Sequence, residues 1–367
     1  MEEIFVDQVG ERAQRSIFQV MPTISVIITA HGVEDYLDRC LDSVLSQEGA
    51  KAEVEVIAVD DASPDRSGAI LAARHDPRLT VIRTATAAGP GRARELGAKE
   101  ATGEYVWFVD GDDELADGAL AAVAAQLDRL HPDVLNVDYE NIFADGTITP
   151  SGTDLATPEL TTLADSPVLL WVTMSMWNKV FRRDFLSGLG VPFGSGIYEE
   201  VPVAAAALLT ASRIGVLDRV CYRYRRSRSG SFMAAINDRH FDIFTSYETI
   251  YDSLSERSLA PLPGTPSGPG AESARTGLAY PVAAAVRAVL FVRTIRHYAF
   301  ALPKVPRSRR RDFFSQMTRD FQRWRPEGFS VPPGLQGIEL RLVGRGAYRT
   351  YSALVPLNRL RLRLRRR

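Results

Sequence analysis

Over residues 23–113, short apolar runs alternate with segments whose apolar positions recur at helical spacing. Thr23-Ile24-Ser25-Val26-Ile27-Ile28-Thr29 is a β-branched run that predicts a first strand, broken by His31-Gly32. From Glu34 to Gln47, the residues Tyr36, Leu37, Cys40, Leu41, Val44 and Leu45 fall on one helical face. Glu53–Val59 and Leu79–Arg83 read as strands, and Ser67–Arg74 and Arg92–Ala101 as helices. A fourth strand follows Gly103 and ends in Val106-Trp107-Phe108-Val109-Asp110-Gly111-Asp112-Asp113. This β-α-β-α-β-α-β order predicts an α/β fold with an open, mainly parallel sheet and helices on both faces.

A helix is expected at Asp117–Leu130, a strand at Asp133–Tyr139, an Ala-rich helix at Val203–Ala211 and a strand at Val216–Tyr224. Beyond His240 the pattern turns helical, with helices at Gly277–Leu302 and Arg307–Trp324 and a Pro/Gly/Ser-rich loop at 261–273 between them and the earlier helices. The expected organisation is an N-terminal extension at 1–22, an α/β domain at 23–235, a helical region at 236–347 and an Arg-rich amphipathic tail at 348–367.

Charge changes this picture. The whole chain of 367 residues has a net charge of −1, yet residues 287–367 hold 20 Lys or Arg against 4 Asp or Glu, about +16. The remainder, 24 basic against 41 acidic residues, is correspondingly acidic. A basic end on an acidic body points to an anionic partner, of which lipid headgroups are one and nucleic acid another. The tail contains no recognisable nucleic-acid module, so no nucleic acid is expected. Cys40 and Cys221 stand in no metal-ligand spacing, consistent with a reducing cytoplasm. The first twenty residues lack the apolar core of a signal peptide, and no run of about 18 apolar residues appears, so a spanning segment is not expected.

The candidate chemistry lies at strand ends. Asp60-Asp61 and Asp110, Asp112 and Asp113 follow two strands whose ends gather along one edge of such a sheet. Closely packed carboxylates stay ionised most easily around a divalent cation, an Arg or a Lys. Gly111 suits a tight turn between them. The plainer reading is that each cluster caps the helix after it. Glu199-Glu200 open the Ala-rich helix, where capping by the helix dipole is likewise the plain alternative. Arg225-Arg226-Ser227-Arg228-Ser229-Gly230-Ser231 carries side chains suited to phosphate oxygens, or else is a solvated basic loop. No GxGxxG follows the first strand and no GxxxxGK[ST] occurs, which argues against a dinucleotide-binding domain and a P-loop.

Six ordered pieces of the first 235 or so residues resemble a family 2 glycosyltransferase of the GT-A fold. Ile24–Thr29 through Leu41–Gln47 resembles the opening strand and helix, and Val59-Asp60-Asp61-Ala62-Ser63-Pro64-Asp65 the VDDxSxD turn. Gly89-Pro90-Gly91-Arg92-Ala93-Arg94 is similar to GxxxAR, and Gly103–Asp113 to GEYxxFxDxDD. Asn178-Lys179-Val180-Phe181 and Tyr198-Glu199-Glu200-Val201 resemble the later NKLF and ED motifs.

The resemblance implies roles. Thr29, Ala30, His31 and Glu34 would line the nucleotide pocket, Asp61 would contact the base and Arg94 would help hold the nucleotide-sugar. Asp110 and Asp112 would form the DxD pair, with Asp112 on a Mn²⁺ or Mg²⁺ that bridges the diphosphate. Glu200, or Glu199 beside it, would be the catalytic base. Arg226, Ser229 and Ser231 would close over the diphosphate, and Trp177 and Asp113 would face the sugar or acceptor. The implied activity is inverting transfer from a nucleotide-sugar, a UDP-sugar above all, to a hydroxyl of a cell-surface glycan or teichoic-acid-like polymer. The implied place is the cytoplasm, at the inner face of the membrane if the tail binds it; an oligomer is compatible.

The chain departs from the family at several points. His31 stands where the family usually has Asn, Glu200 where it has Asp, Ala87 where it has Asn, and Ala93-Arg94-Glu95 where it has ARN. These changes keep a second reading open, a degenerate domain that serves as a binding or scaffold module.

Overall fold

The computed structural model describes residues 21–151, 157–226, 233, 235–256 and 280–354. All but the last two residues of the N-terminal extension, the loop 261–273, the tail beyond 354, and Ser229 and Ser231 lie outside the described residues.

The first half follows the apolar pattern. Strands β1 (Thr23–Ala30), β2 (Glu53–Asp60), β3 (Leu79–Arg83) and β4 (Tyr105–Asp110) alternate with helices α1 (Leu37–Leu45), α2 (Ser67–Ala73) and α3 (Pro90–Glu100). β1 lies between β2 and β4 and is parallel to both. The chain thus reverses its direction of travel across the sheet at β1, and this switch point opens a crevice at the ends of β1 and β4. Thr29 pairs with Asp110 there.

The sheet then continues through β5 (Glu114–Leu115), β6 (Val134–Ile142), β7 (Ile148–Pro150), β8 (Leu160–Thr161), β9 (Lys179–Arg182) and β10 (Ile214–Arg225). The strand order is β3-β2-β1-β4-β9-β6-β10-β5, with β7 beside β6 and β8 beside β10. β9 is antiparallel to both β4 and β6, so the sheet is mixed beyond its parallel half.

Residues alternate between two cores, as the strand period demands. Tyr105, Trp107 and Val109 of β4 join Leu37, Leu41 and Val44 of α1 and Leu120, Val123 and Leu127 of α4 (Ala119–Leu130) on one face. Val106 and Phe108 face the other side, towards α3 and the nearly wholly buried α6 (Val201–Thr210). Between these helices, α5 (Arg183–Gly188) follows β9. The helical region belongs to this second core: Phe244 and Tyr247 of α7 (Asp242–Glu256), Phe291 and Tyr298 of α8 (Tyr280–Ala301), and Phe313 and Phe321 of α9 (Arg310–Trp324) lie in the same cluster. α10 (Gly334–Gly344) packs on α9. No helix among the described residues is long and apolar enough to cross a membrane.

Capping does not explain the acidic cluster after β4. After Asp113 the chain forms β5, antiparallel to β10, and α4 starts only at Ala119 behind the left-handed Gly118. Gly111 is required by closeness rather than by an unusual turn. Its N–H donates to Thr29 O at 2.8 Å, and a Cβ there would meet that same oxygen at 2.8 Å.

Candidate active site

Arg94, on α3, joins the strand-end acids to the distant Glu199-Glu200 pair. Its side chain is buried, at 3% exposure for the residue. One terminal nitrogen reaches Asp110 Oδ1 at 2.8 Å and lies 3.5 Å from Glu200 Oε2; the other reaches Glu199 Oε1 at 2.5 Å. Burial opposes the guanidinium charge, but Asp110, Glu200 and Glu199 outweigh it and hold Arg94 protonated. Its Nε has no partner among the described atoms. Gly91, one turn earlier, lets α3 approach the 193–199 loop: a Cβ there would lie 2.7 Å from Gly194 O.

Glu199 and Glu200 differ in setting. Glu199 is buried and tied to Arg94. Glu200 is half-buried, and its Oε2 also accepts from Met176 N at 3.3 Å. Burial pushes its carboxyl up; Arg94 pulls it down, Glu199 and Asp110 push it up again, and it stands at about 7. Glu200 occupies the position before α6 but makes no side-chain capping bond, so its carboxylate faces the cleft contacts instead.

The donor Met176 sits on a loop held from behind. Lys179 has 0% exposure and donates to Thr173 O at 2.6 Å, Ser175 O at 3.0 Å and Asn178 Oδ1 at 2.8 Å. Burial and Arg293 lower its pKa to about 7, against the pull of Glu200. On the other side, Ser246 Oγ donates to Tyr198 O at 2.9 Å, and the Tyr198 hydroxyl bonds His240 Nδ1 at 2.9 Å. The helical region therefore clamps the loop that carries Glu199 and Glu200.

Around the strand-end acids, the Tyr222 hydroxyl accepts from Asp110 N at 3.1 Å and donates to Asp113 Oδ2 at 2.8 Å. Asp113 also accepts from Arg225 N at 2.6 Å and is 1% exposed. Burial, then the charges of Asp112 and Asp110, raise its pKa well above the carboxylate range. Asp113 is thus a structural partner of β10, which corrects its expected place against the acceptor. Trp177 is corrected in the same way. It is 5% exposed, stacked on Tyr222 and Tyr224 at 4.6 and 5.1 Å, and leaves no open platform for a sugar.

The nucleotide-side residues fall at the ends of β1 and β2. Thr29 Oγ1 lies 3.4 Å from Asp110 Oδ1, Ala30 is buried, and His31 is exposed with Nδ1 2.8 Å from Asp61 O. Glu34 accepts from Arg66 N at 2.8 Å. The Asp61 carboxylate accepts from Ala88 N, Gly89 N and Thr84 Oγ1, and so ties down the 84–89 loop; contact with a base requires that loop to yield. Arg226 is exposed, its guanidinium 5.4 Å from the Tyr224 ring centre.

A metal ion fits the acids in kind. Asp110 and Asp112 offer hard oxygen donors, and two carboxylates with the remaining ligands from phosphates and water is a usual Mg²⁺ arrangement. Asp110 also stands 2.8 Å from the Arg94 guanidinium, so a cation there would share that carboxylate with an existing positive partner. Among the described residues, no cluster of three or more His, Cys, Asp or Glu is poised as a ready-made cage.

The model of glycosyl transferase family 2 matches residues 25–190. This stretch, somewhat under half of the chain, is similar to family 2 glycosyltransferase domains. The chain is 30% identical over 220 residues to the uncharacterized glycosyltransferase EpsJ of Bacillus subtilis, covering 57% of this chain and 62% of EpsJ. It is 31% identical over 219 residues to the poly(ribitol-phosphate) beta-N-acetylglucosaminyltransferase TarS of Staphylococcus aureus, covering 59% of this chain and 37% of TarS. The chain therefore spans less than two thirds of either relative. The solved structure of S. aureus TarS 1–349 in complex with UDP-GlcNAc superimposes with a TM-score of 0.64 at 22% identity, over 92% of both chains. At that identity the likeness is one of fold, and it extends through the helical region.

Sequence reasoning missed Lys179, Tyr198 and Tyr222 as parts of the site. For the first, the available signal was the Asn178–Phe181 run that resembles NKLF. Tyr198 opens the run that resembles the ED motif, whereas Tyr222 carries no signal, because its partners Asp110 and Asp113 are distant in sequence.

Proposed function

We propose that this family 2 domain transfers a sugar from a UDP-sugar to a hydroxyl of a cell-surface glycopolymer, with inversion at the anomeric carbon. The observation that carries the reading is Arg94, which gathers Asp110, Glu199 and Glu200 at the crevice where β1 and β4 end. Glu200 is the base. A carboxyl poised at about 7 accepts the acceptor's proton as the hydroxyl attacks, close to the optimum for transfer at neutral pH. Glu199 positions Arg94, and Arg94 fixes Glu200 while it adds positive charge beside the departing diphosphate. Asp110 and Asp112 would hold Mn²⁺ or Mg²⁺. When bound, that ion supplies charge neutralisation to the diphosphate. Thr29, Ala30, His31, Glu34 and Asp61 form the nucleotide side, and Arg226 adds positive charge for the phosphates.

Acceptor and location follow from charge and from relatives. TarS is named for a poly(ribitol-phosphate) acceptor, and the basic region of this chain, about +16 over residues 287–367, favours an anionic polymer and an anionic membrane surface. We place the protein at the cytoplasmic face of the membrane.

The test is turnover and binding with UDP-GlcNAc, UDP-Glc, GDP-, dTDP- and CDP-sugars, each with and without Mn²⁺. Metal-dependent turnover of one UDP-sugar, lost in Glu200→Gln with donor binding retained, supports the assignment. Failure of every nucleotide-sugar to bind or turn over overturns it in favour of a scaffold domain.

A further inference from the structure

Helix α10 presents an outward face ill-suited to water alone. Its inner side buries Gly337, Leu340 and Val343. Opposite them, Leu335 is 47% and Ile338 39% exposed, and the half-buried Leu342 continues the stripe. Positions 335, 338, 342 and 345 follow one another along a single helical face. Arg341 and Arg345 flank it and are exposed, as is Arg349 just beyond. The helix has one carboxylate, Glu339, and this lines a small cavity with Arg296 of α8 rather than the arginine-bearing side. Leu354 is 41% exposed, and the sequence after it holds Arg359, Arg361, Arg363, Arg365, Arg366 and Arg367 without an acid.

An apolar strip with arginines along one edge and beyond its end is the composition of a helix that lies in a bilayer interface. Leucine and isoleucine enter the acyl boundary, while the long Arg stems keep their charge at the level of the lipid phosphates. A protein partner for an apolar strip of this size would have to set its acids opposite Arg341, Arg345 and Arg349 in particular. An anionic leaflet supplies them everywhere.

We propose that the outer face of α10 docks flat on an anionic lipid surface, with Leu335 and Ile338 inserted and Arg341, Arg345 and Arg349 on lipid phosphates. This rests on the membrane location proposed above and names the element that makes the contact.

The experiment is co-sedimentation of the full chain with phosphatidylcholine vesicles, with and without phosphatidylglycerol. It compares the wild type with Leu335→Glu/Ile338→Glu, Arg341→Gln/Arg345→Gln and a chain lacking residues 355–367. Expected are salt-sensitive binding that needs phosphatidylglycerol, and loss of about tenfold or more in affinity for each α10 variant, with melting temperature and UDP-sugar binding unchanged. A Leu335→Trp reporter shifts its emission to the blue on vesicle binding. If the wild type ignores both vesicles, the membrane location itself falls and this proposal with it. If the wild type binds and the α10 variants bind equally well, the location stands on residues 355–367 and the α10 proposal is overturned. Conversion of a lipid-free oligomer to monomers by Leu335→Glu/Ile338→Glu would also overturn it, marking the face as a contact between copies of the chain.

Discussion

Arg94 holds three carboxylates with one buried guanidinium, and the proton affinity of Glu200 is raised first by its burial, against the pull of that guanidinium. Glu200→Gln keeps the shape and removes the proton acceptor. On the proposed mechanism kcat falls by ~10²–10⁴ with donor KM little changed, read by steady-state kinetics at saturating acceptor. The pH profile of kcat/KM rises through about 7, because the base works only when deprotonated. Stability runs the other way. The folded protein retains at about 7 a proton that the unfolded chain releases near 4.5, so this group's stabilisation is complete below 4.5 and lost as pH climbs through 7. Thermal melts of wild type and Glu200→Gln should diverge over that interval. Lys179→Met leaves Thr173 O and Ser175 O without their buried donor, at a cost of ~1–3 kcal/mol per unpaired group. Its signature is a lower melting temperature, read by thermal denaturation.

At the level of elements, the turn between β4 and β5 is set by contact with β1. Gly111→Ala forces a methyl to within 2.8 Å of Thr29 O, which is backbone and cannot swing aside. We expect a destabilisation of ~1–3 kcal/mol, as for overpacking, and a larger loss of activity because Asp110 and Asp112 flank the shifted peptide. Chemical denaturation and kcat measured on the same preparation separate the two effects. The 84–89 loop depends in the same way on Asp61, whose carboxylate receives two of its amides.

Across the whole molecule, the helical region buttresses the site. Ser246 and His240 hold Tyr198, Tyr247 bonds His297 Nδ1 at 3.0 Å, and burial with the nearby Arg293 and Lys304 lowers His297 to about 3, so that pair stays neutral at any physiological pH. Removing residues 236–367 strips Phe244, Phe291 and Phe313 from the core that also contains α6. The shortened protein should lose cooperative melting and bind hydrophobic dyes, rather than survive as an independent α/β domain.

Local pattern determined the parallel half of the sheet. β-branched runs and helical spacing act over a few residues, so β1 to β4 and the helices between them were legible from Ile24 to Asp110. The motifs also brought Arg94, Asp110 and Glu200 into one expected site, because each stands in a short run of recognisable order. Tertiary structure alone decided the rest. Asp113 and Trp177 looked like cleft residues, but the bend of β10 lays Tyr222 and Tyr224 over them and turns both inward. Glu199 and Glu200 are adjacent and chemically identical, and only packing sets them apart, Glu199 buried in its ion pair with Arg94 and Glu200 half-buried with its carboxyl raised to about 7. Lys179 acquires its place by being sealed under the loop that feeds Glu200, a consequence of packing that no spacing along the chain encodes.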